Sequence, residues 1–235
     1  MWIILGIAAI GVLMVAGSNA ADSRRRTLVG ESRLGAVEPA NICITHGAWQ
    51  PSRAGRLAVN VPTFRAVARG TSGDAAELSF TFKGQSPKTR ALGSGQIRRQ
   101  IGLKLRAENG CNLVYVMWRF DPSPQIEVSV KINPGARVHR ECGTNGYSKI
   151  HATQASQVTG PTVDSTHTLR AEIVGDELFV WLDGKPVWRG ALPATARTLA
   201  GPVGFRSDNV AYTSVSLYAA PGQTRGDAGC VDSED

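Results

Sequence analysis

The chain has 235 residues, 42% of them hydrophobic and 19% charged, with 26 glycines and a formal charge of +7. That composition fits one large all-β domain or two small ones and excludes long disorder away from the ends. The basic excess admits an acidic polymer or a membrane surface as partner, or a merely solvated arginine-rich surface. It argues against nucleic acid, because the one dense basic cluster is Arg24-Arg25-Arg26 and no basic run carries interleaved aromatics.

Residues 1–20 open with an apolar run, Trp2 to Gly17, followed by Ser18-x-Ala20, the small-residue pattern of a signal-peptidase site. Cleavage after Ala20 and export to a secreted, periplasmic or cell-surface location are expected. No Lys or Arg precedes the run and three Arg follow it, so an uncleaved anchor, with residues 2–17 as a membrane tether, stands as the alternative. Residues 21–40 read as a polar linker, 41–220 as the folded domain and 221–235 as a polar tail.

Within 41–220 the strand signals come at short intervals. "ELSFTFK" puts Leu78, Phe80 and Phe82 on one face, and "QIGLKLRA" does the same with Ile101, Leu103 and Leu105. "CNLVYVMWRF" is apolar on both faces, as in a strand covered on both sides. "QIEVSVKIN" alternates again, Ile126, Val128, Val130 and Ile132 against Glu127, Ser129 and Lys131. Asn109-Gly110 reads as a hairpin turn, since both residues tolerate positive φ. "LRAEIVGDELFVWLDGKPVWRG", Leu169 to Gly190, reads as two strands and the start of a third around Gly175-Asp176 and Asp183-Gly184. "GPVGFRSDNV" and "TSVSLYAA" complete the series. Gly160-Pro161 breaks "TQASQVTGPTVDST" into a loop, and no stretch keeps a helical period. About a dozen short strands at this spacing predict a sandwich or barrel. Trp118 shares a face with Val114 and Val116 and is expected in the core; Trp181 faces either a groove or a loop; Trp188 is expected at the surface.

The four cysteines, Cys43, Cys111, Cys142 and Cys230, form no C-x-x-C pair. Their even number in an exported chain predicts two disulfides, with buried thiols as the alternative. Three connectivities exist; the expected one is Cys111–Cys142 with Cys43–Cys230.

The stretch "HTLRAEIVGDELFVWLDGKPVW" followed by "GPVGFRSDNVAYTSVSLY" resembles the C-terminal half of concanavalin A-like lectin/glucanase jelly rolls, laminin-G-like modules included. "GAWQPSRAGRLAVN" resembles their first strands. The resemblance spans roughly residues 41–220, rests on turn and core residues, and implies an all-β jelly-roll β-sandwich of two antiparallel sheets. That fold hosts lectins, hydrolases, lyases and adhesion modules alike. Some of its glucanases carry E-x-D-x-x-E on one strand, which is absent here. The acids of "EIVGDE", Glu172 to Glu177, flank a turn and are not expected to share a face.

A jelly roll has one concave sheet. If strands 100–107, 111–120 and 125–133 are neighbours in it, their non-core faces bring together Lys104, Arg106, Tyr115, Arg119, Glu127 and Lys131. Aromatic faces stack on sugar C–H surfaces, and Arg or Lys pairs with carboxylate or sulfate. The expectation is an exported, non-enzymatic module that binds carbohydrate, with a preference for anionic polysaccharide. A polysaccharide hydrolase or lyase is the first alternative; Tyr115, Arg119, Lys131 and His139 would serve a lyase. A non-glycan adhesion module is the second. The histidines, His46, His139, His151 and His167, are dispersed. In some related domains, loops like Ser207-Asp208-Asn209 place Asp and Asn on calcium or on a sugar hydroxyl; Asp208 and Asn209 are the metal candidates here, calcium being the one cofactor admitted, against a plain capped turn.

Overall fold

A computed structural model describes residues 33–51 and 57–222. The expected leader, Arg24-Arg25-Arg26, most of the linker, nearly all of the tail and Cys230 lie outside the described residues. Within them the chain forms β1 (Gly35–Ala36), β2 (Ile42–His46), β3 (Gln50–Pro51), β4 (Leu57–Val59), β5 (Thr63–Ala68), β6 (Thr71–Gln85), β7 (Gln100–Asn109), β8 (Asn112–Arg119) and β9 (Gln125–Lys131). A helical turn, α1 (His139–Cys142), leads to β10 (Tyr147–Ile150) and β11 (Gln154–Ala155). Then come β12 (Thr166–Val174), β13 (Glu177–Leu182), β14 (Lys185–Ala191), β15 (Gly204–Asp208) and β16 (Val210–Pro221).

These strands make the expected all-β sandwich of two antiparallel sheets. The seven-stranded sheet has the order β10-β9-β8-β7-β15-β5-β2; the nine-stranded sheet has β11-β14-β13-β12-β6-β16-β4-β3, with β1 added beside β16. Gly35 and Ala36, inside the expected linker, thus belong to the sandwich, paired with Ala219 and Tyr218.

Period-two burial explains the layering. Phe64, Phe205, Ile101, Leu103 and Trp118 from one sheet meet Leu78, Phe80, Tyr212, Leu169 and Val180 from the other, all at most 1% exposed. Each such side chain contributes about 1.5–3 kcal/mol through loss of water contact. Trp118 is in this core, as expected, its indole N–H donating to Thr159 O at 3.2 Å. Trp188 is too, 6% exposed, contrary to its expected surface position: it pairs with Val180 and so points to the same face.

The hairpin around Asp183-Gly184 has positive φ at both turn residues, 51° and 74°, which matches the right-handed twist of the flanking strands. At Gly175-Asp176 only the glycine, first of the two, has positive φ (62°). The two-residue turn keeps Val174 opposite Glu177, and that places Glu172 and Glu177 on one outer face after all. The β7–β8 hairpin departs from expectation in a different way. Asn109 pairs with Asn112, so the loop is Gly110-Cys111, and the register shifts between Leu105 and Asn109. The positive φ falls on Arg106 (47°).

Cys111 and Cys142 are disulfide-bonded, tying the start of β8 to α1. Cys43 is disulfide-bonded as well.

Candidate functional site

The outward face of the seven-stranded sheet is a trough of about 770 Å³. Strand register builds it row by row. One transverse row runs His46, Arg65, Arg206, Gly102, Met117, Glu127 across β2, β5, β15, β7, β8 and β9. The next row toward the start of β7 runs Thr63, Asp208, Gln100, Arg119, Gln125. The row on the other side runs Gly204, Lys104, Tyr115, Ser129, Lys149. Gly102 has to be glycine: a Cβ there would lie 2.1 Å from Val116 O and 2.7 Å from Met117 Cα. The missing side chain leaves room beside Arg206, whose guanidinium lies 4.9 Å from the centre of the Tyr115 ring.

Tyr115 in turn stacks on Tyr147 of β10, ring centres 6.1 Å apart and planes at 19°. Lys131 Nζ lies 5.0 Å from the Tyr147 ring. The result is a stack of two rings with a cation at each end. Tyr147 is 42% exposed and offers ring surface to the trough, whereas Tyr115 is buried. Burial of the hydroxyl end, with Tyr115 nearby, pushes the Tyr147 phenol well above its ordinary value and outweighs Arg206, so it stays protonated at physiological pH.

Charge is shared unevenly. Asp208 accepts from Arg65 (2.7 Å), Arg206 (2.9 Å) and Gln100 (2.6 Å). Burial works against its ionisation, but the two arginines and Gln100 more than offset that, and its carboxyl lies well below the usual range. Arg206 is held firmly charged: burial opposes its charge, and Asp208, Tyr115 and Tyr147 together outweigh burial. Glu127 is ringed by Arg98 (2.8 Å), Arg119 (3.2 Å) and Lys149 (3.6 Å). Burial raises its carboxyl and these three cations lower it further than that. Of the ionic groups lining the trough, five are cations (Arg65, Arg90, Arg98, Lys149, Arg206) and two are carboxylates (Glu127, Asp208).

The six residues expected here do not act alike. Tyr115 and Glu127 line the trough. Lys104 and Lys131 share its face but are 1% and 0% exposed; Lys131 donates to the carbonyls of Gly110 (3.0 Å) and Gly143 (2.9 Å). Arg119 braces Glu127. Arg106 is turned away by the irregularity in β7, donating to Asp74 (2.6 Å) and to Ala196 O (3.0 Å). Of the four expected lyase participants, Tyr115 and His139 line the trough, while Arg119 and Lys131 are committed to the contacts just given.

Asp208 and Asn209, the metal candidates, both have partners within the protein. Asp208 neutralises two arginines, and the Asn209 amide binds backbone groups of Arg90 and Arg98. Among the described residues no group of three or more His, Cys, Asp or Glu is arranged to hold a metal ion.

Arg65, Arg206, Tyr147 and Lys149 escaped the sequence reading. Arg65 and Arg206 stand between core residues in "TFRAVA" and "GFRSD", where period two already exposes them on the non-core face. Which strands lie beside β7 was the missing fact.

A second, smaller cavity of about 190 Å³ lies at the edge of the nine-stranded sheet, around Phe179, Trp181, Pro186 and Arg189. Phe179 and Trp181 stack at 6.1 Å and both line this cavity, so Trp181 lies away from the trough. Arg189 covers Phe179 and binds Glu177 (2.5 Å), and Arg170 covers Trp181 and binds Glu172 (3.0 Å).

No family model and no curated protein sequence matches this chain. Among solved structures it is similar to the carbohydrate-binding module CBM66 from Bacillus subtilis, at 14% identity over 77% of this chain and 93% of that one, with a TM-score of 0.49. It is also similar to the Caenorhabditis elegans galectin LEC-6, at 11% identity over 78% of this chain and 99% of that one, TM-score 0.40. For chicken galectin 2 the values are 14%, 63%, 91% and 0.37. These are distant likenesses of fold, and the trough has to be interpreted from its own residues.

Proposed function

We propose that the trough binds an anionic carbohydrate without transforming it. The observation that carries this is the stack of Arg206, Tyr115 and Tyr147, backed by the buried Lys131, in a cavity whose lining cations outnumber its carboxylates. The exposed ring of Tyr147 suits the C–H face of a pyranose, and Lys149, Arg98 and Arg90 suit its carboxylate or sulfate. A phenol that stays protonated serves stacking and hydrogen bonding better than proton abstraction. The proposal includes export, supported by the apolar run at Trp2 to Gly17 and by the Cys111–Cys142 disulfide.

Calorimetric titration with tetragalacturonate and with its fully methyl-esterified form tests the reading. The charged form binds, the neutral one binds at least tenfold more weakly, and added salt weakens the first. Tyr147→Ala and Lys149→Ala each cost about 1 kcal/mol, roughly fivefold in affinity. Equal affinity for the two forms, or full binding by both variants, refutes the assignment.

A further inference from the structure

The segment between β6 and β7, residues 86–99, is built as a strap over the trough. Both of its legs are pinned at one point. Asn209, 0% exposed and with φ 56°, accepts from the Arg90 N–H (2.7 Å) and donates to the carbonyls of Arg90 and Arg98 (2.9 Å each). The tip is a tight turn: Leu92 N–H donates to Gln96 O and Gly95 N–H to Leu92 O, both at 2.8 Å.

Root and tip lie at opposite ends of the trough. The root adjoins Asp208 and Gln100, the row where β7 begins. At the tip, a Cβ added to Gly93 would lie 2.7 Å from Thr144 Cγ2. Thr144 belongs to the connection from α1 to β10, which enters at Tyr147 beside Lys131, the last residue of β9. That far wall is anchored independently, by the Cys111–Cys142 disulfide and by Lys131 donating to Gly143 O. Ala91, Leu92, Gly93 and Ser94 line the cavity from above. The strap therefore crosses the sheet obliquely, from the end of β15 to the connection that leads into β10, over the stack of Arg206, Tyr115 and Tyr147.

We infer that the strap limits this site to short oligosaccharides or chain ends. An internal stretch of polysaccharide lying along the rows would have to thread beneath the bridge between Gly93 and Thr144. The inference rests on the anionic-glycan reading above, and it adds that length, as well as charge, is selected.

The test is stoichiometry on size-fractionated polygalacturonate, measured by calorimetry alongside tetragalacturonate. The native protein saturates at one molecule per polymer chain whatever the chain length. In a second protein residues 91–97 are replaced by Gly-Gly. Arg90 and Arg98 both bind the same Asn209 amide, so the short link leaves the root in place. With the strap removed, bound protein per chain rises with chain length, while tetragalacturonate affinity stays within about threefold, ~0.65 kcal/mol. Native protein that already binds at many sites per chain refutes the strap's role and leaves the glycan reading intact. So does a strapless protein that folds, by its thermal transition, yet stays at one per chain. Native protein that binds neither tetramer nor polymer overturns both readings together.

Discussion

The outer faces of the two sheets carry the same kinds of side chain and use them differently. On the nine-stranded sheet each arginine has its own carboxylate and its own ring: Arg189 with Glu177 and Phe179, Arg170 with Glu172 and Trp181. Such a surface is satisfied by itself. In the trough of the seven-stranded sheet one carboxylate is divided among two or three cations, and a ring face stays open at Tyr147. What separates the two faces is therefore the ratio of charges and their burial, rather than the residue types present.

The sharpest way to break that contrast is to remove one carboxylate from each face. Asp208→Asn strips the counter-ion from buried Arg65 and Arg206 and should cost about 3–5 kcal/mol in chemical denaturation. Glu177→Gln, half exposed, should cost no more than about 1 kcal/mol. Equal costs would show that the shared carboxylate does not organise the trough.

Next in size is the disulfide. Cys111→Ala with Cys142→Ala should lose about 3 kcal/mol of stability. It should also weaken ligand binding at Tyr147, because the bond fixes the wall from which β10 departs. Binding as tight as in the native protein would detach that wall from the site.

Acid sharpens the comparison further. Asp208 and Glu127 both have native values held below their ordinary 3.8 and 4.5. Between the lowered native value and the ordinary one, the unfolded chain binds protons that the folded chain does not. Their stabilisation is thus complete above the ordinary values and is lost as pH falls through the lowered ones, at up to about 1.4 kcal/mol per pH unit for each group. Denaturation curves from pH 6 down to pH 2 should steepen below about pH 4.5. Asp208→Asn should flatten them, and an unchanged slope in that variant would assign the acid response elsewhere.

The smallest effect belongs to the satisfied face. Arg189→Ala should change stability by less than about 1 kcal/mol and leave affinity for tetragalacturonate unaltered. A loss of binding in that variant would move the site to the wrong sheet.

Much of this was legible beforehand. Alternation in "ELSFTFK" and "QIEVSVKIN" assigned core and outward faces correctly, and Asp183-Gly184 took up the positive φ that a tight hairpin requires. Local rules suffice there because side-chain direction in a strand and turn type depend on nearest neighbours alone. The same rules failed at Arg106, where an irregularity in β7 interrupts the period of two. They were also silent about Arg65 and Arg206, whose place beside Tyr115 depends on β15 and β5 pairing next to β7 across more than a hundred residues of chain. The sequence by itself determined the alternating core and outward faces of the main strands, though not the burial of Trp188, Lys104 or Lys131. Only the tertiary structure decided which cations share a carboxylate, that the Asn209 amide pins both legs of the 86–99 segment, and which of two similar faces divides its carboxylates among several cations. Those outcomes depend on strand order and long-range register, which hydrophobic burial rewards but does not spell out locally.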